Sequence, residues 1–229
     1  MTESTASFTD PIAIDIWTDV VCPWCYIGES RLNDALEAEG LSDRFKIELH
    51  AFELDPSAPE NAGGETNIDH LAQRKGMPRE QVEQMESQVQ ALAAELDRPY
   101  AVERPMANTR RLHRVRQAII EAGGDGDAFF LDLQRRYFAG EVNPFDVDEI
   151  VAAAAKQGLD EARTREVVAS DEFDREVTDE VRRARMLGAQ GVPFFLFDHK
   201  YTAPGALPLD TFRQVVRSLA AERDAEDAK

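Results

Sequence analysis

The run Ile12-Ala13-Ile14-Asp15-Ile16-Trp17 is apolar and β-branched over a strand's length, which predicts a buried β-strand. Past Cys25 the period changes, and Ile27, Leu32, Ala35 and Leu36 recur at helical spacing. Phe45-Lys46-Ile47-Glu48-Leu49-His50-Ala51-Phe52 returns to period two, a second strand. Pro56 to Gly64 is loop composition, and from Thr66 to about Leu187 the pattern is almost wholly helical. Its clearest stripe is Val82, Met85, Val89, Leu92 and Leu96, on a helix running from Pro78 to about Leu96 and ended by Pro99. Further helices are predicted at about 108–122, 127–139 and 146–157, stopped by Gly123-Gly124, Gly140 and Gly158. Ser170 reads as the cap of a helix carrying Phe173, Val177, Val181, Ala184 and Leu187.

Gly191-Val192-Pro193-Phe194-Phe195-Leu196-Phe197 is a glycine, a proline and an apolar run, a buried strand entered through proline. Asp198-His199-Lys200 is a tight turn and Tyr201-Thr202-Ala203 the antiparallel partner strand. Pro208 to about Glu222 closes as a helix with Phe212, Val215, Val216 and Leu219 inward, and the charged tail Ala221 to Lys229 is expected to fray. The order is β-α-β, then an all-helical excursion, then β-β-α. It predicts a discontinuous α/β unit built from 1–60 and 188–229, with 61–187 inserted as a helical domain over the face that carries the first strand-to-helix junction.

That junction holds both cysteines of the chain, in Cys22-Pro23-Trp24-Cys25. A strand, a short loop and a helix N-terminus place Cys22 where unpaired N–H groups and the helix dipole favour a thiolate. Lowering a thiol pKa from about 8.5 to about 6.5 raises the thiolate fraction at pH 7 from about 3% to about 75%. Reduced nucleophilicity returns most of that gain in attack, whereas leaving-group ability keeps it. Pro23 suits the first helical turn, and Cys25, one turn further in, is expected to be the more buried thiol. Cys22 is therefore assigned as the accessible attacker and Cys25 as the resolver. The competing reading of a C-x-x-C pair is half a zinc site. His50, His70, His113 and His199 are not spaced as a second ligand pair, so no metal is expected.

Together with the strand before Cys22 and the Gly191-Val192-Pro193-Phe194-Phe195 segment, these residues resemble the thioredoxin superfamily, specifically the DsbA-like oxidoreductases of the FrnE type. The wider group includes 2-hydroxychromene-2-carboxylate isomerase and kappa-class glutathione transferase. Thr18-Asp19-Val20-Val21, Asn108-Thr109 with His113, and Arg136-Tyr137-Phe138 are also similar to that group, over about Ile12 to Leu219. The resemblance implies a thioredoxin fold, a cis bond at Val192-Pro193 facing the cysteines, and backbone pairing of Val192 with an extended thiol substrate. Trp24 and Tyr26 would shape the rim. Pro204-Gly205-Ala206-Leu207 departs from the Ser-Gly-Ala-Gln common in the FrnE group, so contacts by those Ser and Gln side chains are not carried over. Retaining both sulfurs favours dithiol–disulfide exchange. A glutathione-dependent isomerase or transferase is the alternative on the same fold, and a redox-sensing or chaperone-like binder is a third reading.

Asp15, inside an apolar strand, is either a proton acceptor for Cys25 with a raised pKa or a carboxylate reaching water at a sheet edge. Arg104, Arg110, Arg111, Arg114 and Arg116 form a basic island, expected to be a solvated helix face rather than an anion site for a ligand such as glutathione. His113 beside an apolar stripe is expected to be structural.

A net charge of −18 repels nucleic acid and anionic membrane surfaces, so neither is an expected partner. Thiol or disulfide substrates are, with glutathione as substrate or reductant and no tightly bound cofactor. Met1 to Asp10 lacks the charge and apolar core of a secretory signal, and cysteine usage fits a reducing compartment, so a cytosolic location is expected.

Overall fold

A computed structural model describes residues 10–61 and 63–228; the expectation about the first ten residues thus falls almost wholly outside the described chain. Among the described residues the order is β1 (Ile12–Thr18), α1 (Pro23–Ala38), a 3-10 turn (Ser42–Arg44) and β2 (Phe45–Ala51). Helices α2 (Asn67–Arg74), α3 (Arg79–Glu95), α4 (Arg110–Glu121), α5 (Gly126–Phe138), α6 (Val147–Ala155), α7 (Glu161–Ala169) and α8 (Asp174–Met186) follow. The chain ends with β3 (Phe194–Phe197), β4 (Tyr201–Pro204) and α9 (Leu209–Asp227).

The sheet runs β2-β1-β3-β4, with β1 parallel to β2 and antiparallel to β3. Strand alternation divides its side chains between two faces. Ile12, Ile14 and Ile16 join Phe195 and Phe197 in the main core, with Leu32 and Leu36 of α1 and Phe212 and Val216 of α9. Trp17, Phe194 and Leu196 face the other way, against Val181 and Ala184 of α8. The main core continues without a break into Leu112, Val115, Phe129, Phe130 and Phe138 of the helical segment. The sheet and the helices over it therefore bury one another.

Three local expectations are corrected. Ser170 ends α7 rather than opening α8, and Phe173, at φ +66°, precedes the first turn of α8. The C-terminal tail does not fray at Ala221: α9 reaches Asp227, tied down by Arg44–Asp224 and Lys200–Glu226 pairs at 2.7 and 3.2 Å. Helix α2 supplies a separate short element where the sequence showed only helical composition. The β3–β4 turn is as expected, with positive φ at both Asp198 and His199, the geometry a tight hairpin requires.

Candidate active site

Cys22 stands at the N-cap of α1 with extended backbone, and Pro23 takes the first helical position, where its missing N–H costs nothing. The Cys22 sulfur accepts the Cys25 backbone N–H at 3.3 Å, the part usually played by a serine or aspartate oxygen. The Cys22 thiol in turn donates to the Val192 carbonyl at 3.5 Å. This contact corrects the expectation of an accessible thiol: Cys22 is 2% exposed, because the loop before β3 lies over it. Cys25 is 0% exposed, and both thiols are free.

Burial, then the hydrogen bond and charge of the Cys22 sulfur, then the charge of Glu29, push the Cys25 thiol well up, while Thr18 acts weakly the other way. Glu29 lies four residues after Cys25, on the same face of α1. Its side chain is buried, Oε1 accepts from Thr18 Oγ1 at 2.6 Å, and Oε2 has no partner. Burial pushes this carboxyl up to about 8, against the opposing effect of Thr18. Sequence reasoning did not single out Glu29; the i+4 spacing from Cys25 was the one available signal.

The Val192-Pro193 bond is cis. Gly28 lets this loop approach α1, since a Cβ there would meet Pro193 Cγ at 3.2 Å and Ala206 Cα at 3.4 Å. Gly205 N–H bonds the Pro193 carbonyl at 2.8 Å, so Pro204-Gly205-Ala206-Leu207 supports the loop through its backbone, without the Ser and Gln of the FrnE pattern.

Cys22, Cys25, Trp24, Val192 and Pro193 thus share one end of the sheet, and Trp24 stands at the rim, 44% exposed. Tyr26 does not shape the rim: it is buried, stacked on Phe138 at 4.7 Å, and its hydroxyl donates to the Pro99 carbonyl at 3.2 Å. Asp15 fits neither expectation. Its strand is central and it is 5% exposed, yet none of its polar partners is a cysteine. Burial would raise its carboxyl, but the hydrogen bond from His50 and the charges of His50, Arg183 and His199 outweigh that and hold it below the usual range.

The arginines are not a solvated face. Arg104 and Arg116 are buried, paired with Glu86 at 3.0 Å and Asp127 at 2.7 Å. Arg110 joins Glu53 to Asp174, Arg114 also reaches Asp174, and Arg111 donates to the Glu60 carbonyl. Acidic partners already occupy this island. His113 is buried against Phe130, with Nε2 3.6 Å from Asp19 Oδ1. Among the described residues no group of three His, Cys, Asp or Glu is arranged around a metal position, and no helix is long and apolar enough to cross a membrane.

Among solved structures the chain is similar to a probable DsbA oxidoreductase from Streptomyces coelicolor, at 32% identity over 92% of this chain and 91% of that one, with a TM-score of 0.82. It also resembles the cytosolic disulfide reductase DsbM from Pseudomonas aeruginosa, solved with GSH, at 17% identity over 91% and 99% of the two chains, TM-score 0.60. A 2-hydroxychromene-2-carboxylate isomerase matches at 16% identity over 95% and 99%, TM-score 0.64. These last two share the fold. No match is found among curated proteins. The model of the DSBA-like thioredoxin domain matches residues 13–217, and on that extent the chain belongs to the DSBA-like thioredoxin family.

Proposed function

We propose that the chain is a thiol–disulfide oxidoreductase working through Cys22 and Cys25. The observation that carries this reading is the Cys22 sulfur at the N-cap of α1, accepting the Cys25 N–H at 3.3 Å while Cys25 lies buried behind it. In the reducing direction the Cys22 thiolate attacks a substrate disulfide, one sulfur bonds to Cys22, and the other leaves as a thiolate that takes a proton. Glu29 accepts the Cys25 proton. The Cys25 thiolate then attacks the Cys22 sulfur, the substrate's second thiol leaves, and two electrons have passed from the dithiol to the substrate.

With its carboxyl held near 8, Glu29 accepts the Cys25 proton in its ionised form, a minority at neutral pH that grows as pH approaches 8. The Val192 backbone is the docking edge for an extended substrate, and the Cys22 thiol exchanges its bond to the Val192 carbonyl for the substrate sulfur. Electrons come from or go to outside thiols, of which glutathione is one. A cytosolic setting belongs to the same reading, because both cysteines sit at the site, the usage of a reducing compartment.

The test is equilibration with reduced and oxidised glutathione, followed by alkylation and mass measurement. Reversible formation of a Cys22–Cys25 disulfide is expected. Two thiols that never join internally under mild oxidant would overturn the proposal.

A further inference from the structure

Beneath the cysteine turn the exchange chemistry leaves two polar groups unused, Asp19 at 0% exposed and His113 at 1%. The Asp19 carbonyl accepts the Cys22 N–H at 3.0 Å, a turn hydrogen bond that keeps the two Cα atoms within about 7 Å. Its carboxylate Oδ2 accepts the Leu54 N–H at 2.8 Å. Oδ1 has no hydrogen-bond partner among the described residues and faces His113 Nε2 across 3.6 Å. Gln134 donates to the Asp19 carbonyl at 3.4 Å, not to the carboxylate. Neither ring nitrogen of His113 is hydrogen-bonded among the described residues, and the ring is held by stacking on Phe130 at 5.3 Å.

A buried carboxylate with a single N–H bond carries charge that hydrogen bonding leaves largely uncompensated. That charge is felt across the interior. Burial, then the carboxylates of Glu86 and Asp19, push the Tyr137 hydroxyl up to about 12 against the opposing effect of Arg104. At an effective dielectric of about 20, a unit charge about 7 Å away shifts an equilibrium that creates charge by up to about 50-fold. The Cys22–Cys25 couple is such an equilibrium. Its disulfide is neutral, whereas reduction leaves two thiols, either of which becomes negative when its proton goes. A fixed negative charge under Cys22 works against the reduced form, and an imidazole set against that charge works for it.

Building on the exchange chemistry proposed above, we infer that Asp19 and His113 are an opposed pair that sets the redox equilibrium of the Cys22–Cys25 couple, Asp19 biasing it toward the disulfide and His113 offsetting Asp19. Both are positioning residues, since neither side chain bonds a sulfur. The reaction itself is unchanged: two glutathione thiols give two electrons and two protons to the enzyme disulfide, which becomes the dithiol as glutathione disulfide is released.

The test is that equilibrium, run with full-length protein over a range of [GSH]²/[GSSG], quenched in acid, alkylated and resolved by mass. Asp19→Asn keeps an acceptor for the Leu54 N–H and loses the charge. His113→Phe keeps a ring on Phe130 and loses both nitrogens. At pH 8, Asp19→Asn is expected to lower the midpoint [GSH]²/[GSSG] by about 3- to 50-fold relative to wild type, and His113→Phe to raise it at least threefold. The double variant should fall between them. The Asp19→Asn shift should shrink at pH 6, where fewer thiols are charged, whereas a packing defect would move both midpoints the same way at both pH values.

Unmoved midpoints, shifts of the same sign in the two variants, or an Asp19→Asn shift as large at pH 6 as at pH 8 would overturn this inference and leave the oxidoreductase reading standing. Should one variant fail to fold, the sign of the shift in the other decides, with His113→Gln as a second replacement of the imidazole. A protein that forms no internal disulfide at any ratio would overturn both.

Discussion

The Thr18 hydroxyl donates to Glu29 Oε1 at 2.6 Å, joining the end of β1 to the second turn of α1 beside the Cys25 thiol. Burial keeps this carboxyl protonated in the folded protein up to about 8, whereas in the unfolded chain it ionises near 4.5. Folding is unpenalised below pH 4.5, stability falls as pH rises through the window, and the loss is complete above pH 8. Relative to Glu29→Gln, wild type is therefore expected to lose up to about 5 kcal/mol across that span. Urea unfolding of both proteins at pH 5, 7 and 9 measures it. A difference independent of pH would mean that the carboxyl titrates normally.

The same residue has a kinetic signature. Glu29→Gln should leave formation of the mixed disulfide at Cys22 unchanged and slow its resolution, increasingly as pH rises toward 8 and more of the wild-type carboxyl is ionised and able to accept a proton. Rapid acid quench with mass detection separates the two steps. Equal resolution rates in the two proteins would remove Glu29 from the reaction.

Replacing Cys25 by serine should trap substrate on Cys22 as a stable adduct, while Cys22→Ser should neither trap nor turn over. Intact-mass measurement after incubation with an oxidised peptide distinguishes them. An adduct on Cys25 in the Cys22→Ser protein would reverse the assigned roles.

His50 lies between Asp15 at 2.6 Å and Glu180 at 3.5 Å, with Trp17 stacked on its ring at 4.7 Å, and so fastens α8 to the sheet. Burial opposes the charged imidazole, but hydrogen bonds and charges from Asp15 and Glu180 outweigh it and hold His50 above its ordinary 6.5. Its contribution is full below pH 6.5 and is lost as pH rises through the raised pKa. Glu180, held down to about 2 from 4.5 by His50, Arg116 and the Ala51 N–H against burial, contributes above pH 4.5 and loses that contribution as pH falls. The clasp is strongest between about pH 4.5 and 6.5. Glu180→Gln should lower stability there by about 2 kcal/mol and converge with wild type toward pH 2. Melting curves across pH 2.5 to 9 check this; parallel curves would count against the clasp.

Arg104 lies buried against the Tyr100 and Phe138 rings, 4.5 and 4.7 Å from their centres, with Glu86 at 3.0 Å. Arg104→Met alone strands a buried carboxylate and should cost about 3–5 kcal/mol, whereas adding Glu86→Leu should recover most of it. A double-mutant cycle in urea measures the coupling. Additive losses would show that the pair acts independently.

The order of elements, the capping of α1 by the cysteine turn and the tight turn at Asp198-His199 were legible in the chain because each rests on local pattern: period two against period 3.6, proline at a first helical position, glycine after a helix. Helix starts without a local signature were not. Ser170 satisfies the rule for a cap and is used at the other end of the preceding helix, since packing of Val167 and Val177 decides where the chain bends.

What the sequence determined by itself, then, was which residues carry sulfur and which segments are strands or helices. Tertiary structure alone decided the environments of the charged groups. Asp15 became a clasp because β1 fell at the centre of the sheet, Glu29 became the carboxyl beside Cys25 because α1 turned that face inward, and the arginines were buried because acidic residues far along the chain came to meet them. Burial and ion pairing depend on which segments close over a side chain, and that distance-independent information is not present in any window of neighbouring residues.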